Sequence, residues 1–501
     1  MLPLLGIDIG TQSVKAALFS DDGVVLSSAV RASRHHKPAP GVVEEDPEFQ
    51  LSSVCETIRE CVAKSGVKSG DIAGLGIDGQ MAGVIGVGQN GSAVTPYDSW
   101  LDTRCASYIT RMQEEAGDEI LRTTGNPPSF NHGPKKLWWK HERPKVFEKI
   151  AKFVQPGGYA AMRLCGLAAE DAFIDYTYLH FSGFADNVNR CWDQDLCERF
   201  GVPLGKLPRI VEPQAVVGNV TAEMSAASGL ASGTPVIAGC GDSAASFLSC
   251  GATREGVCVD IAGTASVFAA TVGGFCPDSE HVLGCGRSAT PGLWHPYAYI
   301  NGGGQNLEWF RENFATQHSL DVLNVLAAAI ERRLDLPMFV PHLGGRVSPG
   351  WPGLRGSWAG LQWDHGAAEL YRAALESVAL EYAIYQQTLN NLLPDFDFTE
   401  IRVTGGGEKS ALWNQIKADV LQTRITGITG SEGAQGAPMG SALLAGFGLG
   451  LFDDLPAAAD QWISLAESVH PDKTTESYYN ERKTRYCNLL EALHGWAGQN
   501  E

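Results

Sequence analysis

Apolar residues open the chain in short blocks. Residues 4–19 read LLGIDIGTQSVKAALF, with apolar runs on both sides of the polar turn Gly10-Thr11-Gln12-Ser13. Asp21-Asp22-Gly23 then precedes Val24-Val25-Leu26. Short apolar runs separated by turn residues predict a three-strand meander. Over residues 47–65 the period lengthens: Phe49, Val54, Ile58 and Val62 fall on one helical face. Residues 72–77 form a buried-strand pattern that ends in Asp78-Gly79-Gln80-Met81-Ala82-Gly83, and residues 84–87 another that ends in Gln89-Asn90-Gly91. Residues 100–200 read as mostly helical with polar loops. A short strand at 235–238 runs into Gly239-Cys240-Gly241-Asp242-Ser243.

The opening pattern then returns. Residues 257–267 read VCVDIAGTASV beside LGIDIGTQSV at 5–14, and Asp8 and Asp260 lie half a chain length apart. A motif repeated at half length predicts duplicated domains that begin with the same hairpin. In the second half, Leu370, Ala374, Val378, Tyr382 and Tyr385 predict a long helix over 367–389. A strand at 401–404 leads into Gly405-Gly406-Gly407, with a helix from about Ser410. Residues 433–445 read as a Gly/Ala-rich turn and helix. The polar segment from Thr474 predicts a helix lying on the outside.

A chain of 501 residues exceeds one ordinary core and calls for two domains or more. With 44% hydrophobic and 19% charged residues it reads as globular rather than disordered or fibrous. The net charge of −19 argues against a nucleic-acid partner or an anionic membrane surface. It leaves phosphate ligands open, because backbone N–H groups and a metal ion hold phosphates locally. No apolar stretch is long enough to span a bilayer. No basic segment followed by an apolar run marks a leader. The 12 cysteines are scattered without a CxxC pair or zinc-ligand spacing, which predicts reduced thiols and a cytoplasmic location.

Chemistry is concentrated at four glycine-rich turns that follow or lead out of apolar strands: after Asp8, before Asp242, after Asp260 and after Thr404. Glycine lets the backbone approach a phosphate, and the turn's N–H groups supply donors. Any one such turn is ordinarily just a tight turn. Four of them, each carrying Asp, Thr or Ser, point to a nucleotide. The sequence holds no GxxxxGK[ST] loop and no dinucleotide fingerprint, so those two nucleotide classes lose their signal.

GIDIGTQSVK at the N-terminus, GQMAG at 79–83, WLDTR at 100–104, GCGDSAAS at 239–246, DIAGTASV at 260–267 and TGGGEKSALWNQIKADVL at 404–421 resemble, in order, the motifs of the FGGY carbohydrate kinases. The segments PGVVEEDP at 40–47, TGN at 124–126 and PKKLW at 134–138 are similar to the xylulokinase group within that family. The resemblance implies two actin-like (ribonuclease H-like) α/β domains, 1–247 for the sugar and 248–501 for ATP, with a catalytic cleft between them. It also implies magnesium as a cofactor and a homodimer. By the same resemblance Asp242 is the general base on the sugar hydroxyl and Asp8 faces the metal. Thr11, Gln12, Ser13, Lys15, Gly263, Thr264, Gly405, Gly406, Gly407, Ser410 and Asn414 meet ATP. Gln80, Met81, Ala82, Asp102 and Arg104 meet the sugar. Read on their own residues, Asp242 and Ser410 are also N-cap candidates, and Lys15 is also a solvated strand charge.

The sequence departs from the xylulokinase pattern at the sugar motifs. Ala82 stands where His is usual after Met, Leu101 where Asn is usual, and Pro341-His342-Leu343-Gly344-Gly345-Arg346 where Ser-Gly-Glu-Arg is usual. Ala265 replaces a usual Ser. Residues 301–306, NGGGQN, match no recognised motif. Losing an imidazole and an amide from a sugar site changes specificity. The resemblance makes D-xylulose the first substrate expected, and these departures count against it. A kinase of the same family for another pentulose, a polyol or a sugar acid is the alternative. A non-catalytic ATP-binding switch or an inactive regulatory protein on the same fold are further ones.

Overall fold

A computed structural model describes residues 2–429 and 436–498. The expected turn at 433–435 lies outside the described residues. The chain builds two twisted sheets on one plan. In the first, the predicted meander is present as β1 (Leu4–Ile9), β2 (Ser13–Phe19) and β3 (Val25–Ala32). It is extended by β4 (Gly74–Gly79), β5 (Val216–Asn219) and β6 (Pro235–Ile237). Their order is β5-β6-β4-β1-β2-β3, with β1, β4 and β6 parallel. Strands β1 and β4 are buried along their full length, as the unbroken apolar runs dictate for a sheet covered on both faces.

The second sheet repeats this. A meander of β7 (Val257–Ala262), β8 (Ser266–Ala269) and β10 (Trp294–Ile300) carries β9 (Gly284–Arg287) at its outer edge. β11 (Glu400–Thr404) and β12 (Ile425–Thr429) run parallel to β7, and β13 (Ser464–Leu465) closes the other edge. The sequence repeat is thus a structural one, with β1 and β7 in the same central position.

Helix α1 (Pro47–Ser65) starts where expected. Asp46 caps it by accepting from the Glu48 N–H, and Gly66 ends it in the left-handed region at φ 70°. Val54, Ile58 and Val62 are buried, while Phe49 is half-buried beneath the Arg34 guanidinium at 4.2 Å. Within residues 100–200, α2 (Ala106–Thr124) and α3 (His132–Glu142) are the long helices, and short strand pairs interrupt the rest. α4 (Asp242–Ser249) follows β6, and α5 (Gly303–Phe314) follows β10. α6 (Ala367–Leu392) matches the expected long helix, and α7 (Ala411–Leu421) follows β11.

The two halves are joined by α8 (Ala437–Gly448), which comes late in the chain yet packs on the first sheet. Glycines make this contact close. A Cβ on Gly6 would stand 1.7 Å from the Pro438 carbonyl oxygen, and one on Gly76 would stand 2.3 Å from that of Ser441. Helix α9 (Leu455–Trp462) follows α8 onto the same sheet and stacks Trp462 on Phe19 at 5.5 Å. At the other side, β9 meets the first half: the Cys285 N–H donates to Gly125 O at 2.9 Å, and Arg287 Nε donates to Asn187 O at 2.7 Å.

The C-terminal helix α10 (Glu476–Ala497) corrects an expectation. It is a strut rather than an outer tail. Tyr479, Arg482, Tyr486 and Leu490 form a buried stripe. Arg482 Nη2 donates to Glu376 at 2.9 Å, and Tyr486 donates its hydroxyl to Glu381 at 2.7 Å. The helix looked polar because most of its core-facing residues are Tyr and Arg, and the Arg482 charge and the Tyr486 hydroxyl are matched inside. No helix among the described residues is long and apolar enough to cross a membrane.

Candidate active site

In parallel α/β sheets, ligands bind beyond the carboxyl ends of the strands. Here β1, β4 and β6 end together. Asp8 lies near the end of β1 and is buried. In register, it faces Lys15 on β2 and Asp78 on β4. Lys15 Nζ is 3.5 Å from Asp8 Oδ2, so part of the lysine charge is spent on Asp8. Burial pushes Asp8 above the usual carboxylate range, while Lys15 pulls it back. Thr11, Gln12 and Ser13 form the turn after β1. Gln12 is exposed, and Thr11 Oγ1 accepts from Trp100 Nε1 at 2.8 Å.

Asp242 is the first residue of α4, held beside the end of β4 by a parallel bridge between Gly79 and Gly241. Its Oδ1 accepts from the Ser243 hydroxyl at 3.2 Å. It does not cap the helix; that position is Gly241's. Burial and, next, the Asp8 charge push its carboxyl up to about 7. The turn that presents it is fixed from below. Gly241 N–H donates to Thr177 Oγ1 at 2.9 Å, and Thr177 Oγ1 donates to Asp175 Oδ1 at 2.5 Å. The Tyr178 hydroxyl donates to Gly79 O at 2.9 Å.

Gln80 and Met81 follow β4 directly. Met81 packs on Gly241, where an added Cβ would meet its Sδ at 1.8 Å. Ala82 is half-exposed beside it, and its carbonyl accepts from the Tyr97 hydroxyl at 3.3 Å. The Gln80 amide is already engaged: Nε2 donates to Glu45 Oε1 at 2.9 Å, and Oε1 accepts from Thr11 at 3.5 Å. Asp102, expected at the sugar, is held by protein partners. It is fully buried; Oδ2 accepts from Val43 N–H at 2.7 Å and Arg104 Nη2 at 2.6 Å, and Oδ1 accepts from Arg104 N–H at 3.1 Å and Nε at 2.9 Å. Both oxygens are taken, so Asp102 anchors Arg104. Arg104 also donates to Glu44 at 2.7 Å and covers the Trp138 ring at 4.8 Å.

The second sheet brings its turns together in the same way. Gly405 has φ 89°, and a Cβ there would meet the Ala262 carbonyl at 2.8 Å, so the triple-glycine turn lies flat against the end of β7. Gly263 and Thr264 follow β7. Their carbonyls accept from the first turn of α5, Gly304 N–H at 2.9 Å and Gln305 N–H at 3.1 Å. The unrecognised segment at 301–306 is therefore a helix start braced on the Gly263–Thr264 turn. Gly406 is exposed, and Gly407 is buried against Trp413. Ser410 caps α7 by accepting from Trp413 N–H at 3.3 Å. Asn414 Nδ2 donates to Glu408 O at 2.8 Å, while its buried Oδ1 has no protein partner.

The two repeated aspartates have diverged. Asp260 is fully buried, ion-paired with Lys417 and accepting from the Tyr382 hydroxyl at 2.6 Å. Only Asp8 keeps company with other carboxylates. The segment 341–346 is likewise structural. His342 and Arg346 each reach Glu381 at 3.0 Å. Burial raises that carboxyl, but Arg346, His342 and Tyr486 outweigh it and hold it at about 2.

Sequence reasoning missed Asp78, Glu45 and Thr177. For Asp78 a signal existed: residues 75–78 read LGID, as do residues 5–8. Two identical strand ends, paired in register, put two carboxylates side by side. Glu45 and Thr177 belong to no motif of their own.

The duplicated sheets thus carry one strand end with the buried Asp242 carboxyl, pushed up to about 7, and one with closely packed glycine turns. Residues 3–249 match the FGGY family of carbohydrate kinases, N-terminal domain, and residues 259–449 match its C-terminal domain. The chain belongs to this family and is a sugar kinase. It is 27% identical over 488 residues to the xylulose kinase of Bacillus subtilis (strain 168), covering 97% of this chain and 96% of the relative. It is 26% identical over 503 residues to the gluconokinase of the same organism, covering 98% and 96%. The crystal structure of xylulose kinase from Rhodospirillum rubrum superposes with a TM-score of 0.91 at 26% identity, covering 99% of this chain and all of that one.

Proposed function

We propose that this kinase transfers the γ-phosphoryl group of ATP to a hydroxyl of a ketose, with D-xylulose as the first candidate and Asp242 as general base. The observation that carries the reading is Asp242 itself. It stands at the same strand edge as Gln80 and Met81, and its carboxyl is pushed up to about 7 beside Asp8. A base that titrates near the working pH accepts a hydroxyl proton efficiently as the oxygen attacks phosphorus. In this reading the first domain, 1–247, takes the sugar through Gln80, Met81, Ala82 and Arg104, and Asp102 keeps Arg104 in place. The second, 248–501, takes ATP. Gly263, Thr264, Gly405, Gly406, Gly407, Ser410 and Asn414 line its nucleotide side, and Thr11, Gln12, Ser13 and Lys15 face the phosphates from the first.

Magnesium fits the residues present, because Asp8 is a buried carboxylate at the phosphate-facing turn, and hard cations take carboxylate and phosphate oxygens. When bound, the ion would neutralise phosphate charge. Lys15 is positioned to share that task, and closure of the domains would exclude water. The reading places the enzyme in the cytoplasm as a homodimer.

One observation favours a second substrate class. Ala82 presents a methyl where a hydrogen-bonding imidazole is usual, and a gluconokinase stands among the similar proteins. A site that lacks that partner discriminates differently among hydroxyl patterns. A panel of D-xylulose, L-xylulose, D-ribulose, L-ribulose, glycerol, erythritol, xylitol and gluconate, assayed for magnesium-dependent ADP release, separates the two. Stimulation greatest with D-xylulose supports the first reading. Stimulation by gluconate or a polyol alone replaces it with the second.

A further inference from the structure

The buried carboxylate of Asp78 has no place in the account so far. It lies at the end of β4, is fully buried, and stands in register beside Asp8. One oxygen, Oδ2, accepts the Ser441 hydroxyl of α8 at 2.6 Å. The other, Oδ1, is buried with no hydrogen-bond partner. Burial and, next, the Asp8 charge beside it push this carboxyl well above its ordinary range.

This arrangement is costly for a merely structural residue. A buried carboxylate oxygen without a donor loses its hydration and gains nothing in return. Two neighbouring carboxylates repel unless something positive lies between them. Asn or Ser at this position would keep a bond to Ser441 without either penalty. A divalent cation beside Asp8 removes both penalties, because it accepts the orphaned oxygen and cancels the repulsion. Among the described residues, no three His, Cys, Asp or Glu side chains are grouped to hold a metal alone. Two carboxylates therefore supply part of a shell that nucleotide phosphates and water complete, a composition magnesium favours.

We propose that Asp78 is a second carboxylate of the cation site, reaching the ion directly or through one water, and that Ser441 orients it from the other half of the chain. The inference rests on the kinase reading of the site. It adds that the cation is held by a pair of strand-end aspartates rather than by Asp8 alone. It also gives α8 a function: the helix that joins the halves touches the cation site through a single hydroxyl.

The test uses the full chain with manganese as probe and a non-hydrolysable ATP analogue. Electron paramagnetic resonance reads free and bound manganese, independent of turnover. Asp78→Asn keeps the shape and a bond to Ser441 but removes the charge. The expected result is that manganese binding in the presence of the analogue weakens at least about tenfold, as loss of a carboxylate near a metal does. Analogue binding measured without metal should be unchanged. Ser441→Ala should weaken manganese binding by about two- to fivefold, and it carries the test alone if Asp78→Asn does not fold. Manganese affinity within twofold of wild type in the folded variants overturns the inference, and any gain in stability alone would then assign Asp78 a structural role. If the wild type binds manganese and analogue independently, the kinase reading of the site fails, and this inference fails with it.

Discussion

Replacing Asp242 by Asn keeps the shape of the side chain and removes its charge. Asp242 carries that charge in an unfavourable place: burial and the Asp8 carboxylate push its pKa from 3.8 up to about 7. A raised acid pKa means that the folded protein holds a proton the unfolded chain has released. Wild-type stability therefore falls as pH rises from about 4 to about 7 on account of this group, and is flat above. A shift of roughly three units corresponds to about 4 kcal/mol at full strength. The side chain keeps partial solvent contact, so screening reduces the net effect to about 1–2 kcal/mol. Asp242→Asn should therefore be more stable than wild type by about 1–2 kcal/mol at pH 8, by a fraction of that at pH 5, and equal to it below pH 4. Urea denaturation at several pH values reads this directly. The same variant should lose about 10²–10⁴-fold in sugar-dependent kcat, because the base is gone. A variant that is less stable than wild type at pH 8, or one whose stability difference ignores pH, would refute the electrostatic account of this carboxylate.

Other outcomes follow from the same structure. In the wild type, sugar-dependent kcat/KM should rise about tenfold per pH unit below pH 7 and level off above it, because only ionised Asp242 accepts a proton; a flat profile between pH 5 and 8 would exclude it as the base. Thr177→Val removes the acceptor of the Gly241 N–H and the donor to Asp175, and should lower kcat about tenfold or more with sugar KM little changed. A rise in KM at constant kcat would show instead that Thr177 acts on sugar binding. Gly76→Ala drives a methyl into the Ser441 carbonyl and should cost about 2–4 kcal/mol in chemical denaturation, against less than about 0.5 kcal/mol for Gly70→Ala, whose Cβ has open space. Ala82→His should change the ratio of kcat/KM between D-xylulose and gluconate by about tenfold or more; an unchanged ratio would remove position 82 from the sugar site.

Much of the fold is written locally. The meander, α1, α6 and the strands that end in glycine turns follow from short-range period and turn chemistry, and the return of the Asp8 turn motif around Asp260 announced the duplicated sheets. What local pattern could not show is which repeated residue stayed chemical. Asp8 and Asp260 share a motif, yet Lys417, some 150 positions further on, neutralises Asp260 inside the protein. Asp102 reads as a polar ligand until Val43 N–H and Arg104 are seen to occupy its oxygens. The face of α10 was hidden because its buried stripe includes Arg482 and Tyr486, whose partners are Glu376 and Glu381 on α6 and the Leu336 carbonyl. The placement of α8 on the first sheet depends on Gly6 and Gly76, glycines that sit inside strands where no turn requires them. Each of these is a long-range contact, and one-dimensional spacing carries no record of them.

The most direct test of the central claim is transfer of the γ-phosphoryl group itself. Wild type and Asp242→Ala would be incubated with γ-labelled ATP, magnesium and each sugar of the panel, and label followed into sugar phosphate. The account predicts label in the phosphate of one sugar with wild type, a loss of at least about 10²-fold with Asp242→Ala, and little release of free phosphate when sugar is absent. Label that reaches only inorganic phosphate at a rate indifferent to every sugar, or equal transfer by Asp242→Ala, would contradict it.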